Sequence, residues 1–436
     1  SFLEEDSAAD GEVDGAPSRL ESNQGICFKG SFFLGDSFLI SDAEAEAIRE
    51  SDQDGPDIVC HYMSGEDIVD TCSDIGSRSV INFYDWELTR CSKNRKAFSL
   101  IESRAYPLAQ ELKETNSTNI RRKKYWWQYA DASPSLYRSL KSLNTTIAVC
   151  VVSKHLLFRR VKANQVFANS CAVIASDDSV LLGVLQSSIH EVWARKYGSS
   201  LESRLRYTLA SCFQAFPFPT RRAELREEVE SLIHRRDTIL GHVNGVTKFM
   251  NSVHDKRESG VMVEEYRSLL VQLDGLVLSM YSWPISLEHD FYELDFLPEN
   301  DRTRYTISPA ARKEVLKRLL ALNHERAAEE AKAKPVKKGK KEKAPKAPRA
   351  EDTKQLGFFA ESAVEIEGGE EASSTKRGPG RPPKAAGNVS ATAEAILAYL
   401  QSHPGLHGKS AILAATGIAE AHWNAAIKQL VEEGKV

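Results

Sequence analysis

The run Arg121-Arg122-Lys123-Lys124-Tyr125-Trp126-Trp127-Gln128-Tyr129 sets four cations beside aromatic rings and an amide. Cations neutralise phosphates, rings stack on bases, and amides hydrogen-bond base edges, so the segment has the chemistry of a nucleic-acid contact. A plainer reading competes with it. Large aromatics are usually buried, so Trp126 and Trp127 are also candidates for the core, with the charges merely solvating a helix end. Arg138, Lys154, Arg159, Arg160 and Lys162 join Gln128 as candidate base readers, because arginine and lysine pair with guanine and glutamine with adenine. Arg195 and Lys196 complete the expected contacts of this region with double-stranded DNA.

Further along, Lys376-Arg377-Gly378-Pro379-Gly380-Arg381-Pro382-Pro383-Lys384 resembles an AT-hook, in which an extended backbone lets Arg377 and Arg381 enter the narrow minor groove of A·T tracts. An ordinary basic linker has the same composition. Other chemistries find no support. Gly405-Leu406-His407-Gly408-Lys409-Ser410 lacks the glycine spacing and the preceding strand of a phosphate-binding loop. The eleven histidines form no helical His-x-x-x-His pair, and the seven cysteines are scattered without a C-x-x-C pair, so neither a metal centre nor a catalytic zinc is expected. The cysteines read as reduced, small buried hydrophobes.

Charge is unevenly spread. The formal net charge is −4, yet Glu4, Glu5, Asp6, Asp10, Glu12 and Asp14 concentrate the acid, while the 121–124 and 332–346 stretches are densely basic. Local patches therefore suit phosphate despite the total. No apolar stretch reaches the length of a membrane helix and no signal pattern opens the chain, which predicts a cytoplasmic protein without a membrane partner. Starting at Ser1 and stopping after Gly434-Lys435-Val436, the sequence reads as a fragment at both ends.

The elements that must position these residues follow from periodicity. Residues 26–28, 31–34 and 37–40 are short aromatic runs between glycines and predict strands, and Ser41-Asp42-Ala43-Glu44 predicts a capped helix start. Residues 80–84 and 147–152 predict further strands, with a helix at 104–114 between them. Residues 178–197 carry Leu181, Leu182, Leu185, Ile189, Val192 and Trp193 at helical spacing and predict one buried helix. Two prolines in Phe216-Pro217-Phe218-Pro219 end the regular structure. Long charged helices are predicted at 221–250, 263–281 and from Pro309 to about 330. Three short segments at 391–436 predict a winged helix-turn-helix.

Several strings resemble the region that follows the catalytic domain in large adenine-specific DNA methylases. They are Asn23-Gln24-Gly25-Ile26, Ser64-Gly65-Glu66-Asp67-Ile68, Ile81-Asn82-Phe83-Tyr84-Asp85-Trp86, Lys124-Tyr125-Trp126-Trp127-Gln128-Tyr129 and, most specific, Gln186-Ser187-Ser188-Ile189-His190-Glu191-Val192-Trp193-Ala194-Arg195-Lys196-Tyr197. Leu205-Arg206-Tyr207-Thr208 and Phe216-Pro217-Phe218-Pro219 extend the likeness, which covers residues 21–330. That family includes single-chain type II restriction-modification proteins and methylases of phage-defence islands such as DISARM.

Residue pattern and, over 21–330, the resemblance together predict an α+β chain: an acidic linker (1–20) from a missing catalytic domain, an α+β connector (21–105), a mixed α/β target-recognition domain (106–220), a helical spacer (221–330), a disordered basic linker (331–387) with the AT-hook-like motif and a truncated winged helix (388–436). The resemblance also implies that the intact protein is an S-adenosylmethionine-dependent adenine-N6 DNA methyltransferase. The cofactor domain and the Asn-Pro-Pro-aromatic loop lie upstream; the pair Pro382-Pro383 follows Arg381 instead, so no methyl transfer is expected from this fragment alone. The competing reading is a non-enzymatic specificity or scaffold subunit that recruits separate restriction or phage-defence subunits. A regulator built around the winged helix is a third, and it leaves about 330 residues unexplained.

Overall fold

Thr145–Cys150 forms a strand because its β-branched residues suit a pleated surface, and nearly all of it is buried. Ile147 and Val149 enter one apolar core and Ala148 another, as expected of a strand lying between two layers. The structure, a computed structural model, describes residues 15–201, 204–219, 225–294, 297, 299–333 and 396–399. Two compact units, Ser1–Gly339 and Lys340–Val436, divide the chain.

In the first unit the strand belongs to a four-stranded antiparallel sheet in the order Cys27–Lys29, Cys171–Ile174, Thr145–Cys150, Phe158–Lys162. A second four-stranded sheet runs Leu39–Ile40, Arg78–Ile81, Val59–Met63, Val166–Phe167, with only the last pair parallel. One core unites Phe33, Ile81, Ile101 and Tyr129 with Val161 and Val173, so residues from the expected connector and from the expected recognition domain pack together. Ser31 and Phe32 make isolated bridges to Ala168 and Asp131 in place of the expected strand at 31–34. Only glycine fits just before them, since a Cβ on Gly30 would lie 2.1 Å from the Ala168 carbonyl oxygen.

The other core lies between the first sheet and a set of helices: Ser179–Gln186, Ser188–Tyr197, Arg226–His242, Val246–Val253, Val261–Tyr281 and Pro309–Ala333. The helix expected over 178–197 is broken. Ser187 is extended, its hydroxyl accepts from His190 N at 3.3 Å, and Ser188 N donates to the buried Asp274 carboxylate at 2.7 Å, which caps a new helix where periodicity alone would continue the old one. The helix expected over 221–250 likewise divides before Gly245, whose φ of 93° helices exclude. The helix expected at 104–114 spans Arg95–Gln110, and a hairpin of His289–Glu293 with Thr303–Ile307 forms where periodicity gives no strand. The capping box at Ser41 and Glu44 forms as expected.

The entering chain is tied down before residue 20. Asn323, fully buried on the helix Pro309–Ala333, accepts from Ser18 N at 2.8 Å and donates to Ser18 O at 2.8 Å and Ala215 O at 2.6 Å. Glu330 accepts from Glu21 N and Ser22 N. The part of the acidic linker from Gly15 onward is therefore an anchored strap, because its backbone groups have buried partners. Arg377, Arg381, the basic linker beyond Ala333 and the expected winged helix lie outside the described residues, save a helical turn at 396–399. Among the described residues no helix is long and apolar enough to cross a membrane.

Candidate nucleic-acid interface

Asn116 starts the helix Ser117–Lys124 by accepting from Asn119 N at 2.9 Å, and none of the helix's residues is buried. Its four cations crowd the last turn, where the helix dipole favours positive charge. The aromatic residues that follow divide between surface and core. Trp127, 7% exposed, donates its indole Nε1–H to Trp86 O at 2.9 Å, and Tyr129 donates its hydroxyl to Ile81 O at 2.9 Å. Trp126 is half-buried against Phe98 and Tyr106. Gln128 spends one amide hydrogen on Trp86 O at 3.3 Å. Trp127 thus serves as the anchor that holds this cationic turn at the surface.

The candidate cations divide by what they touch. Arg121 and Lys124 are exposed, lie 5.9 and 5.2 Å from the Tyr125 ring centroid, and have no carboxylate partner among the described residues. Arg138 bonds only to Pro134 O and Ser135 Oγ on its own helix, Pro134–Leu140, and Lys196 is exposed at the end of Ser188–Tyr197. Arg122 sits 5.4 Å from the Phe32 ring, half-buried. Lys123 pairs with Glu114 at 3.1 Å.

The remaining candidates are engaged inside the fold. Arg159, 8% exposed, donates to the carbonyls of Thr71 and Cys72, and burial lowers its pKa. Arg160 grips Glu230 at 3.0 Å and Ser179 Oγ at 2.6 Å, and Lys162 faces Asp74 at 3.7 Å. Arg159 and Arg160 line a cleft of about 190 Å³ with Cys72, Asp74, Asp237 and Leu240, so this sheet edge is tied to the helix Arg226–His242. Lys154 pairs with Asp301 at 2.9 Å, and Arg195 with Glu191 at 2.7 Å.

Sequence reasoning misses two arrangements. Tyr84, 43% exposed, stands at a left-handed φ of 51°, beside Trp86, whose ring carries the Arg90 guanidinium at 3.3 Å. The only signal for it is the aromatic string 81–86, which reads as the tail of a strand. The other is a histidine pair, His155 buried and His254 half-buried. His155 and His254 stack at 5.2 Å; His155 contacts Asn251 Oδ1 at 2.9 Å and Arg304 at 3.4 Å, while His254 Nδ1 accepts from Tyr305 N. Burial first, then the positive Arg304, holds His155 down at about 4, and burial with the neighbouring His155 and Arg304 lowers His254 too. Among the described residues no group of three His, Cys, Asp or Glu side chains is arranged to hold a metal ion, and all seven cysteines are free thiols.

Comparison with known proteins matches residues 28–220 to the family model described as the MmeI target recognition domain. The chain is 30% identical over 71 residues to DNA methyltransferase A of Bacillus subtilis (strain 168), which covers 16% of this chain and 8% of that protein. Among solved structures it is similar to the type IIL restriction-modification enzyme MmeI in complex with DNA, with a TM-score of 0.51 and 14% identity over 72% of this chain. At that identity the likeness is one of fold. The chain spans 36% of the length of that enzyme.

Proposed function

We propose that this chain, whose residues 28–220 match the family model of the MmeI target recognition domain, reads DNA sequence for a restriction-modification enzyme. The observation that carries the reading is the cationic turn at 121–124 inside the matched region. Its Arg121 and Lys124 are exposed and unclaimed by acid among the described residues, while the adjoining Trp127 and Tyr129 fix the turn to the core. Exposed cations on a rigid support are what phosphate contacts need, and the exposed Arg138 and Lys196 extend the charge available to DNA.

The intact protein, on this proposal, is an adenine-N6 DNA methyltransferase that uses S-adenosylmethionine and serves restriction-modification or phage defence. Two clefts among the described residues do not fit that cofactor. The cleft at Arg159 is smaller than the usual range for a ligand of that size, roughly 300 Å³ and above. A larger one of about 640 Å³, between 36–41 and 103–108, is an open groove whose Arg104 is already spent on Leu39 O and Glu44. On this proposal methyl transfer is the work of sequence other than the described residues.

Selection from a randomised duplex library, followed by sequencing of the bound fraction, tests the reading. One enriched motif is expected, with affinity falling steeply as salt rises. Salt-dependent binding without any enriched motif would leave a non-specific binder and overturn sequence recognition.

A further inference from the structure

Packing does not account for the loop that follows the strand Arg78–Ile81. Tyr84 there adopts a left-handed backbone that disfavours bulky side chains, and two bonds keep it so: its N–H donates to Asn82 Oδ1 at 2.9 Å and its hydroxyl to Asp57 O at 2.9 Å. Strain maintained in this way collects at functional positions. A ring left 43% exposed adds little to the core, so the strain serves what the ring presents.

What it presents is continuous with the cationic turn. The Tyr84 ring lies 5.8 Å from Trp86, and Trp86 O receives both Trp127 Nε1–H and Gln128 Nε2–H. Trp127 packs at 5.6 Å on Tyr125, the ring flanked by Arg121 and Lys124. Trp86 already carries the Arg90 guanidinium on its ring, a cation paired with Asp54, and Asp85 and Glu87, exposed on the same loop, repel a phosphate, so the open Tyr84 ring suits a base better than the backbone that the cations at 121–124 would hold.

We infer that Tyr84, backed by Trp86, forms a stacking ledge for an unstacked nucleobase of the bound DNA, a reading that rests on the DNA-binding function proposed above. Stacking accepts the π-face of any base, so the ledge holds a displaced base and leaves sequence choice to polar contacts elsewhere.

The test uses Tyr84→Asn and Tyr84→Phe in the full chain. Asparagine tolerates the left-handed backbone, so it removes the ring with little strain, while phenylalanine keeps the ring and removes the hydroxyl tether. The probes are a duplex with one unpaired 2-aminopurine and its fully paired counterpart, and equal thermal melting confirms that the variants fold. The unaltered chain and Tyr84→Phe are expected to quench the 2-aminopurine. Tyr84→Asn should abolish the quenching and weaken binding of the bulged duplex about 5- to 100-fold, with paired duplex bound as before. Quenching and affinity untouched by Tyr84→Asn overturn the ledge alone. Absence of salt-dependent binding of paired duplex by the unaltered chain is a different failure, which overturns the DNA reading and the ledge with it.

Discussion

Arg121 and Arg160 look alike in the sequence, and their surroundings give them opposite work. Arg121 is exposed beside Tyr125 with no acid among the described residues to neutralise it, whereas Arg160 binds Glu230 and Ser179 and ties a sheet edge to a helix. Replacing Arg121 and Lys124 together by alanine should reduce the slope of log affinity against log salt by about 0.9 for each phosphate that the two cations neutralise, on all DNA sequences alike. Arg160→Ala should leave that slope in place and cost stability instead, within about 1 kcal/mol for a pair this open to solvent. Salt titrations and urea melts of both variants check the assignment. An unchanged slope in the double variant would show that these cations only solvate a helix end.

At the scale of elements, the helix Pro309–Ala333 does more than pad the core. Through Asn323 and Glu330 it joins the entering strap to the 213–218 turn, where Asn23 also donates to Phe213 O, Gln214 O and Phe216 O. The buried Asn323 side chain bonds to backbone groups, so Asn323→Ala leaves Ser18 N, Ser18 O and Ala215 O short of partners. Ser18 is exposed, so water can take over its two bonds, and a destabilisation of about 1–3 kcal/mol is expected, chiefly from the buried Ala215 O left unsatisfied. Amide exchange should rise first at residues 18–23 and 213–218. Uniform exchange over the whole unit would mean that the strap is not a separate cooperative element.

For the molecule as a whole, buried neutral histidines set the acid limit of stability. His155 is held at about 4 and His190, buried beside Tyr207, at about 3, both chiefly by burial, and His254 is lowered as well. Their unfolded value is near 6.5, so between that pH and about 4 the unfolded chain binds more protons. Stability should be full above pH 6.5 and fall as pH drops through that window, by about 1.4 kcal/mol per pH unit for each group at the steepest. Carboxylates with lowered pKa, such as Glu191, add to the decline only nearer pH 4.5 and below. Denaturant midpoints that stay level from pH 6.5 to 4.5 would show that these rings are not neutral and buried together.

Local pattern is enough for the parts whose determinants are local. Ser41 with Glu44 announces a capping box, the β-branched run at 147–152 announces a strand that forms at Thr145–Cys150, and the strings from Lys124 to Tyr129 and from Gln186 to Tyr197 carry the family resemblance. What only the tertiary structure decided depends on residues far apart in the chain. The helix break at Ser187 needs Asp274, which lies 86 residues from Ser188; the role of Arg160 needs Glu230, 70 residues away; and the role of Trp127 needs Trp86, 41 residues earlier. A cation or an indole in sequence carries its capacity for a contact, and burial and the nearest acid or carbonyl determine whether that capacity faces DNA or is spent inside the fold.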